Sequence, residues 1–521
     1  MAEKFRITYA TLSADNEELQ KNYDEAIERS KAALGQRVPV VVNGVEEDGD
    51  GVYEEPSPID QTLVVARVQQ ATREQAERAV AAAKAFELEW DRMGWQRRVG
   101  IMRDVADVIE ERLYDLSTLM AFEVGKSRLE ALGDVQETAE LIRWNADEVE
   151  KHDGFRVPMS GLGAAGEYYD VMRPYGVWAV ISPFNFPFAL SGGPTSGALV
   201  TGNTVVLKPS NQGALLGYKL YECLRDGGVP AGAFHLLPGR GTVVGDVLVH
   251  HPDVDGITFT GSYEVGMSIY KTFATDVPKP VICEMGGKNP TIVTKQADLD
   301  KATDGVLRSA FGFAGQKCSA CSRVYVEREV HDEFLSLLKE KTERIPIKDP
   351  LERDAYLSPV INDDALATFE EAAAEARKAG TIVAGGERVT EGDLGKGNFV
   401  QPTVASVPED SWVWSKELFV PFVAVAPFDE LDDAIDKSND VEYGLTAGLF
   451  SEDPDEIKEF LDRIEAGVVY VNRRAGSTTG AWPGVQPFGG WKGSGTTGKA
   501  GGGPYYVLQY LREQSRTVIE E

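Results

Sequence analysis

Residues 177–210 read VWAVISPFNFPFALSGGPTSGALVTGNTVVLKPS, and the reading of this stretch decides the fold. The 33 residues 175–207 carry no charge, a length that raises the prospect of a membrane-spanning helix. Pro183, Pro187, Pro194, Asn185 and several glycines and serines interrupt the run, and a lipid-facing helix does not accept so many breakers. A charge-free but broken run predicts instead a buried strand, a loop into a dry site, a helix and a second strand. Downstream, the apolar runs FHLLPG (234–239), GITFTGS (256–262) and PVICEMGG (280–287) alternate with helical stretches over 214–225, 243–250 and 263–273. That alternation marks βαβ units and a parallel sheet with helices on both faces.

A second alternating stretch follows, with strands PTIV (290–293), SRVYVE (322–327), TIVAGG (381–386), FVAVAPF (422–428) and AGVVYVN (466–472). Helices are predicted between them over 299–313, 330–344, 364–378 and 431–438. Upstream lie a polar helix over 15–33, a hairpin-like piece around PVVVNG (39–44), and amphipathic patterns over 72–90, 96–123 and 127–151, with apolar residues at i, i+3 and i+4. Two α/β domains in series is the economical reading of a chain whose 521 residues would otherwise allow three or four. The C-terminal GGWKGSGTTGKAGGGP reads as a glycine-rich loop, because apolar YYVLQYL follows it.

Lys and Arg total 53 against 83 Asp and Glu, a net charge of -30. Such acidity argues against nucleic acid or an anionic membrane as partner, since phosphate binding draws its affinity from Lys and Arg. It leaves two readings open, a salt-adapted surface whose self-repulsion is screened or simply a soluble acidic protein. Four cysteines in so long a chain are too few for a disulfide framework, so a reducing interior and a cytoplasmic location are expected. The opening MAEKFRITYA lacks the basic-then-apolar pattern of a signal peptide. With five histidines, and His250 and His251 adjacent, no Cys/His spacing resembles a metal site; none is expected.

The sharpest local signal is FAGQKCSA (313–320). A buried cysteine is ordinarily inert packing. Here Gly315 permits close backbone approach and Lys317 offers nearby positive charge, a setting that suits a thiolate at Cys318. Cys321, three residues on, reads as packed within its strand. In CEMGGKNP (283–290), Glu284 ends an apolar strand before a glycine turn, where open α/β sheets place their sites. An apolar pocket would raise its pKa toward general-base work. Asn185, between two prolines and two aromatics, is either a turn residue or an amide donor for an oxyanion. Lys208 breaks the uncharged run at a strand tip and reads as a ribose or phosphate ligand or as a snorkelling surface lysine. The strand-to-helix turn FTGS (259–262) followed by Val265-Gly266 could hold pyrophosphate, although neither it nor Gly239, Gly241 and Gly245 has the G-x-G-x-x-G spacing. KELF (416–419) alone reads as a helix-end fragment.

Taken together and in order, these motifs resemble the aldehyde dehydrogenase superfamily over nearly the whole chain, including PFGGWKGSG (487–495) and the 34 residues separating Glu284 from Cys318. The resemblance implies an aldehyde dehydrogenase-like fold, two open α/β domains with a β-hairpin and C-terminal oligomerisation extension. Its implied division is a cofactor-binding domain from 1–154 and 173–283, a catalytic domain from 284–498, and bridging segments 155–172 and 499–521. It implies Cys318 as nucleophile, Asn185 as oxyanion donor and Glu284 as the base for hydrolysis. NAD or NADP would be met by Ser182, Phe184, Lys208, Ser210, Asn211, Gly241, Gly245, Thr260, Gly261, Ser262, Val265, Glu417 and Phe419. Two departures stand out: Asn211 where many NAD-preferring members carry Glu, and Val420 where the family's E-x-F-G-P motif has Gly. The run 309–320 and the tail TGAWPGVQPFGG (479–490) resemble the 1-pyrroline-5-carboxylate (glutamate γ-semialdehyde) dehydrogenase group. In that group Ser319, Gly480 and Ala481 would bind a substrate α-carboxylate, while Glu137, Phe186 and Phe488 would line the tunnel. Glu137 also admits the reading of a solvated helix residue. A homo-oligomer acting on a small aldehyde is the implied assembly.

Overall fold

The computed structural model describes residues 16–161, 166–476 and 482–519. The charge-free run forms the strand Val177–Ile181, a loop, the helix Ala189–Val200 and the strand Thr204–Lys208. The helix is apolar on every side, buried at nearly every position, and carries Pro194 within it. Among the described residues no helix is long and apolar enough to cross a membrane.

Two seven-stranded sheets organise the chain. In the first, the spatial order is Val281–Glu284, Gly256–Thr260, Val177–Ile181, Thr204–Lys208, Phe234–Leu236, Val40–Val42 and Val45–Glu47. The five strands from Val281–Glu284 to Phe234–Leu236 are parallel; the hairpin at Asn43-Gly44 closes the antiparallel edge. Chain order reverses between Val177–Ile181 and Gly256–Thr260, and the crevice outside the carboxyl ends of strands at such a reversal is where doubly wound sheets bind ligands. Side chains alternate across this sheet: Trp178 and Val180 share a core with the helices Ala189–Val200, Trp95–Glu111 and Arg128–Lys151, whereas Val177 and Ala179 pack against Arg73–Arg92. That last helix starts at a capping box in which Thr72 and Gln75 satisfy each other's backbone N–H.

The second sheet runs Thr381–Ala384, Thr403–Ser406, Phe422–Phe428, Cys321–Glu327, Asn289–Val293, Thr446–Phe450 and Val468–Val471, parallel except at its first pair. A third, antiparallel sheet joins Arg156–Pro158, Gly166–Pro174 and Leu511–Ile519, with Val157, Met159, Val518 and Ile519 exposed on it.

Several sequence expectations shift. The helix expected over 96–123 is two helices, Trp95–Glu111 and Leu113–Val124, broken at Arg112, whose side chain is drawn to Asp226. The stretch expected over 243–250 begins earlier, as a π-helical turn over Gly241–Gly245 that runs into Asp246–His250. The helix expected to reach residue 313 ends at Phe311, because the next turn is left-handed, as described below.

Candidate active site

The site forms where the carboxyl edge of the first sheet meets the amino edge of the second. Glu284 ends its strand on the first side; Cys318 lies just before the strand Cys321–Glu327 on the other. Phe313, Ala314 and Gly315 take φ of 50°, 52° and 67° in succession. Left-handed backbone at two non-glycine residues is strained and persists only when neighbours hold it. Gln316, fully buried, does so: its Nε2 donates to the Pro359 carbonyl at 3.1 Å and its Oε1 accepts from Ile361 N–H at 2.8 Å. Gly315 is required twice over, by its φ and because a Cβ there would stand 2.5 Å from the Val420 carbonyl oxygen.

Asn289 completes the clamp. Its amide nitrogen donates to the carbonyls of Cys318 (2.7 Å) and Ala320 (2.9 Å), while its oxygen accepts from Thr446 N–H (3.0 Å). Sequence reading passed over Asn289, although it sits in the same CEMGGKNP motif as Glu284. The glycine-rich tail was also underestimated: Ser494 Oγ donates to the Gly286 carbonyl (2.7 Å), and Cys283 N–H donates to Thr496 Oγ1 (2.9 Å). The tail therefore lies beside Glu284 and holds its strand end.

Cys318 is half-buried and lines one cavity with Glu284, Ser319, Glu137, Phe186, Phe488 and Thr260. Burial pushes the Cys318 thiol up to about 12, the carboxylates of Glu417 and Glu284 push the same way, and the backbone N–H groups of Ser319 and Cys318 oppose them. Lys317 does not play the part its position promised. Its ammonium pairs with Glu130 at 2.7 Å and lies 5.9 Å from the centroid of the Phe186 ring, so its charge is committed elsewhere. Glu284 is raised to about 8 by burial; one oxygen accepts from Gly490 N–H, and Oε2 has no hydrogen-bond partner among the described residues. Asn185 is buried and donates one amide hydrogen from Nδ2 to the Gln316 carbonyl at 3.1 Å, two residues before Cys318. Cys321 is packed and hydrogen-bonded to Thr291. Glu137 is only 3% exposed, which rules out its reading as a solvated helix residue.

A dinucleotide would lie along the first sheet's carboxyl edge, and the residues there fit one. Lys208 is buried rather than snorkelling; among the described residues its ammonium is held only by the Pro209 carbonyl at 3.2 Å, and burial lowers its pKa to about 8. Asn211 Oδ1 is a buried acceptor without a partner among the described residues, suited to a ribose hydroxyl. Open space lies where a Cβ would stand on Gly241 and Gly245. Ser262 caps the helix Tyr263–Thr272 after Gly261, with Val265 half-exposed on its first turn. Ser182 Oγ pairs with Ser191 Oγ at 2.7 Å, and Ser210 Oγ accepts from Gln212 N–H at 3.3 Å; both hydroxyls face their own loops. From the second sheet, Glu417 accepts from Gly287 N–H at 2.9 Å and is raised to about 7 by burial, against that bond and Lys288. Phe419, with φ 58°, meets Phe184 edge-on at 5.9 Å. Val420, in place of the glycine, is buried and leaves Glu417 and Phe419 in the site. Gly480 and Ala481 lie outside the described residues.

Comparison with known proteins gives consistent likenesses. Residues 45–516 match the aldehyde dehydrogenase family. The chain is 38% identical to a 1-pyrroline-5-carboxylate dehydrogenase of Geobacillus sp. (strain WCH70), over 96% of each chain. It superimposes on the 1-pyrroline-5-carboxylate dehydrogenase from Thermus with bound NAD with a TM-score of 0.93, 31% identity and full coverage of both chains. It is also similar to proline utilization A from Bdellovibrio bacteriovorus (TM-score 0.91, 36% identity); the match covers 96% of this chain and spans about half, 52%, of that longer protein.

Proposed function

This chain belongs to the aldehyde dehydrogenase family, and from that premise we propose that it oxidises L-glutamate γ-semialdehyde to L-glutamate with NAD or NADP. The observation that carries the reading is the convergence of Cys318, Glu284, Ser319 and Glu137 on one cavity. As a thiolate, Cys318 attacks the aldehyde carbon, forming a C–S bond and an oxyanion. The Asn185 amide and the Cys318 backbone N–H would receive that charge. A nicotinamide held by the residues named below would, when bound in its oxidised form, supply the hydride acceptor for oxidation of the thiohemiacetal. Glu284 then takes a proton from water, whose oxygen attacks the thioester; the C–S bond breaks and the acid leaves. Its pKa near 8 places it where a general base works best.

Lys208, Asn211, Ser262 and Glu417 would grip the dinucleotide, with Ser182, Phe184, Ser210, Gly241, Gly245, Gly261, Val265 and Phe419 shaping its bed. Asn211 is neutral, so nothing at that position repels a 2′-phosphate. For the substrate, Ser319 with Gly480 and Ala481 would meet the α-carboxylate, and the Glu137 carboxylate suits an α-ammonium. Thr260 stands on the cavity wall and would meet the dinucleotide from there. Residues 1–154 and 173–283 would form the cofactor-binding domain, 284–498 the catalytic domain, and 155–172 with 499–521 the surface for a homo-oligomer, for which the exposed apolar residues of the third sheet are suited. Four unpaired thiols fit a reducing cytoplasm.

Steady-state rates over an aldehyde panel test the substrate: kcat/KM for glutamate γ-semialdehyde should exceed that for propanal by orders of magnitude. Equal values would point instead to another semialdehyde or small aldehyde.

A further inference from the structure

The helix Arg128–Lys151 carries Glu130, Asp134 and Glu137 at i, i+4 and i+7, on one face. Glu137 lines the cavity and Glu130 holds Lys317. Asp134 holds Lys126 at 2.9 Å, and neither side chain has any exposed surface. No step of the reaction above uses that pair. The Lys126 ammonium lies 3.4 Å from the centroid of the Phe186 ring and 5.0 Å from that of Phe313. Phe186 directly follows Asn185, and Asp134 Oδ1 accepts from Ala189 N–H at 2.8 Å, at the start of the helix that ends the loop. One buried ion pair thus fastens the loop carrying Asn185 at two points, through a ring face and through a helix end.

Two fully buried charges are costly to desolvate, and an apolar pair of the same volume is often as stable. Their presence is accounted for by where they place other groups. A desolvated ammonium over an aromatic face is directional, so it fixes the Phe186 ring and with it the adjoining Asn185 backbone. We propose that Lys126, held by Asp134, is a positioning residue that acts through the face of Phe186 to aim the Asn185 amide at the oxyanion formed on Cys318. The proposal rests on the roles of Cys318 and Asn185 given above.

The test compares two reactions of the same thiol without cofactor. With p-nitrophenyl acetate, the Cys318 Sγ–C bond forms through a tetrahedral oxyanion, p-nitrophenolate leaves and the thiol proton goes to solvent. With iodoacetamide, Sγ displaces iodide and no oxyanion forms. The double variant Lys126→Met/Asp134→Asn removes both charges yet keeps an acceptor for Ala189 N–H. Its acylation should fall about tenfold or more, the scale set by sub-ångström to ångström misplacement, while alkylation stays within about twofold. Asn185→Ala alone should cost about 10²–10³ in acylation, as for a lost oxyanion donor. In that background the double variant should add less than about twofold, because the group it positions is gone. Lys126→Arg, which keeps a cation, should restore most of the acylation rate.

Losses that multiply with Asn185→Ala, equal falls in acylation and alkylation, or an unchanged acylation rate would each overturn the proposal. Should the double variant fail to fold, the single variant Asp134→Asn, which keeps an acceptor for Ala189 N–H and releases Lys126, must give the same split between the two reactions; wild-type acylation in that variant refutes the idea. A wild-type protein that alkylates at Cys318 but releases no p-nitrophenolate overturns the thioester reading itself, and this proposal with it.

Discussion

Replacing Glu284 with glutamine separates the two halves of the reaction. Burial raises the Glu284 carboxyl to about 8, with only Gly490 N–H opposing, and leaves Oε2 without a partner among the described residues. A carboxyl titrating near 8 is ionised in about a tenth of molecules at pH 7 and about nine tenths at pH 9. In the wild-type protein thioester hydrolysis should therefore rise about tenfold between those pH values and level off above. Glu284→Gln should lose that dependence and lower hydrolysis by about 10²–10⁴. The thiol should respond in the opposite sense, since the Glu284 charge is one of two that hold Cys318 up near 12; without it, iodoacetamide alkylation at pH 8 should be unchanged or faster. The assay is rapid mixing with aldehyde and NAD, followed at 340 nm. A burst of about one reduced dinucleotide per site should persist in Glu284→Gln, with a much slower steady state. If the burst vanishes and alkylation slows about tenfold or more, Glu284 is the thiol's base and the assignment above is wrong.

Because Glu417 titrates near 7 and in its carboxylate form would accept from the hydroxyls it is proposed to hold, dinucleotide affinity should tighten by up to about tenfold from pH 6 to pH 8; calorimetric titration that finds a flat profile, or one unchanged in Glu417→Gln, removes Glu417 from the cofactor site. A Cβ on Gly286 would stand 2.1–2.6 Å from the Glu417 carboxylate atoms, so Gly286→Ala should weaken dinucleotide binding about as much as Glu417→Gln does. Asn289→Ala strips hydrogen bonds from two buried carbonyls, which should cost about 2–4 kcal/mol of stability at about 1–2 kcal/mol per lost partner; kcat should fall about 100-fold as the Cys318 loop shifts. Denaturant melts and steady-state rates check both, and a variant with native kcat would place the clamp elsewhere. The self-repulsion of a net charge of -30 should let KCl stabilise the fold up to about 1 M, where the Debye length is near 3 Å; a melting temperature that falls steadily with KCl counts against a salt-adapted surface.

What the sequence revealed is what is encoded locally. The strand, loop, helix and strand of residues 177–210 were legible because prolines, an uncharged run and a terminal lysine are all visible within 34 residues. Cys318, Glu284 and Asn185 were legible because short motifs surround each. Ownership of charge was not. Lys317 looked like the thiol's neighbour, but its partner Glu130 lies 187 positions away. Arg112, where the helix breaks, pairs with Asp226, 114 positions on, a partner that the helical pattern running through it does not display. Asn289 acts across 29 and 31 residues, on carbonyls that no side-chain pattern displays. Lys126 and Asp134 are only 8 positions apart, yet a lysine and an aspartate near a helix start ordinarily mean a solvated surface, and nothing local says that both are dry.

The acidity and the site pull in opposite directions, and their separation explains how both coexist. A dinucleotide is anionic, so a chain with a net charge of -30 repels it at long range. The charges that matter to the site are buried: Lys126, Lys208, Lys288 and Lys317 are each at most 7% exposed, four of the 24 lysines in the chain. Screening over about 8 Å at physiological ionic strength quiets the exposed carboxylates, whereas a desolvated ammonium such as Lys208 would act at contact, where salt does not reach. The exterior therefore governs the rate of encounter and the interior governs what is held. A surface so uncoupled from the chemistry is free to be set by solubility or by salt.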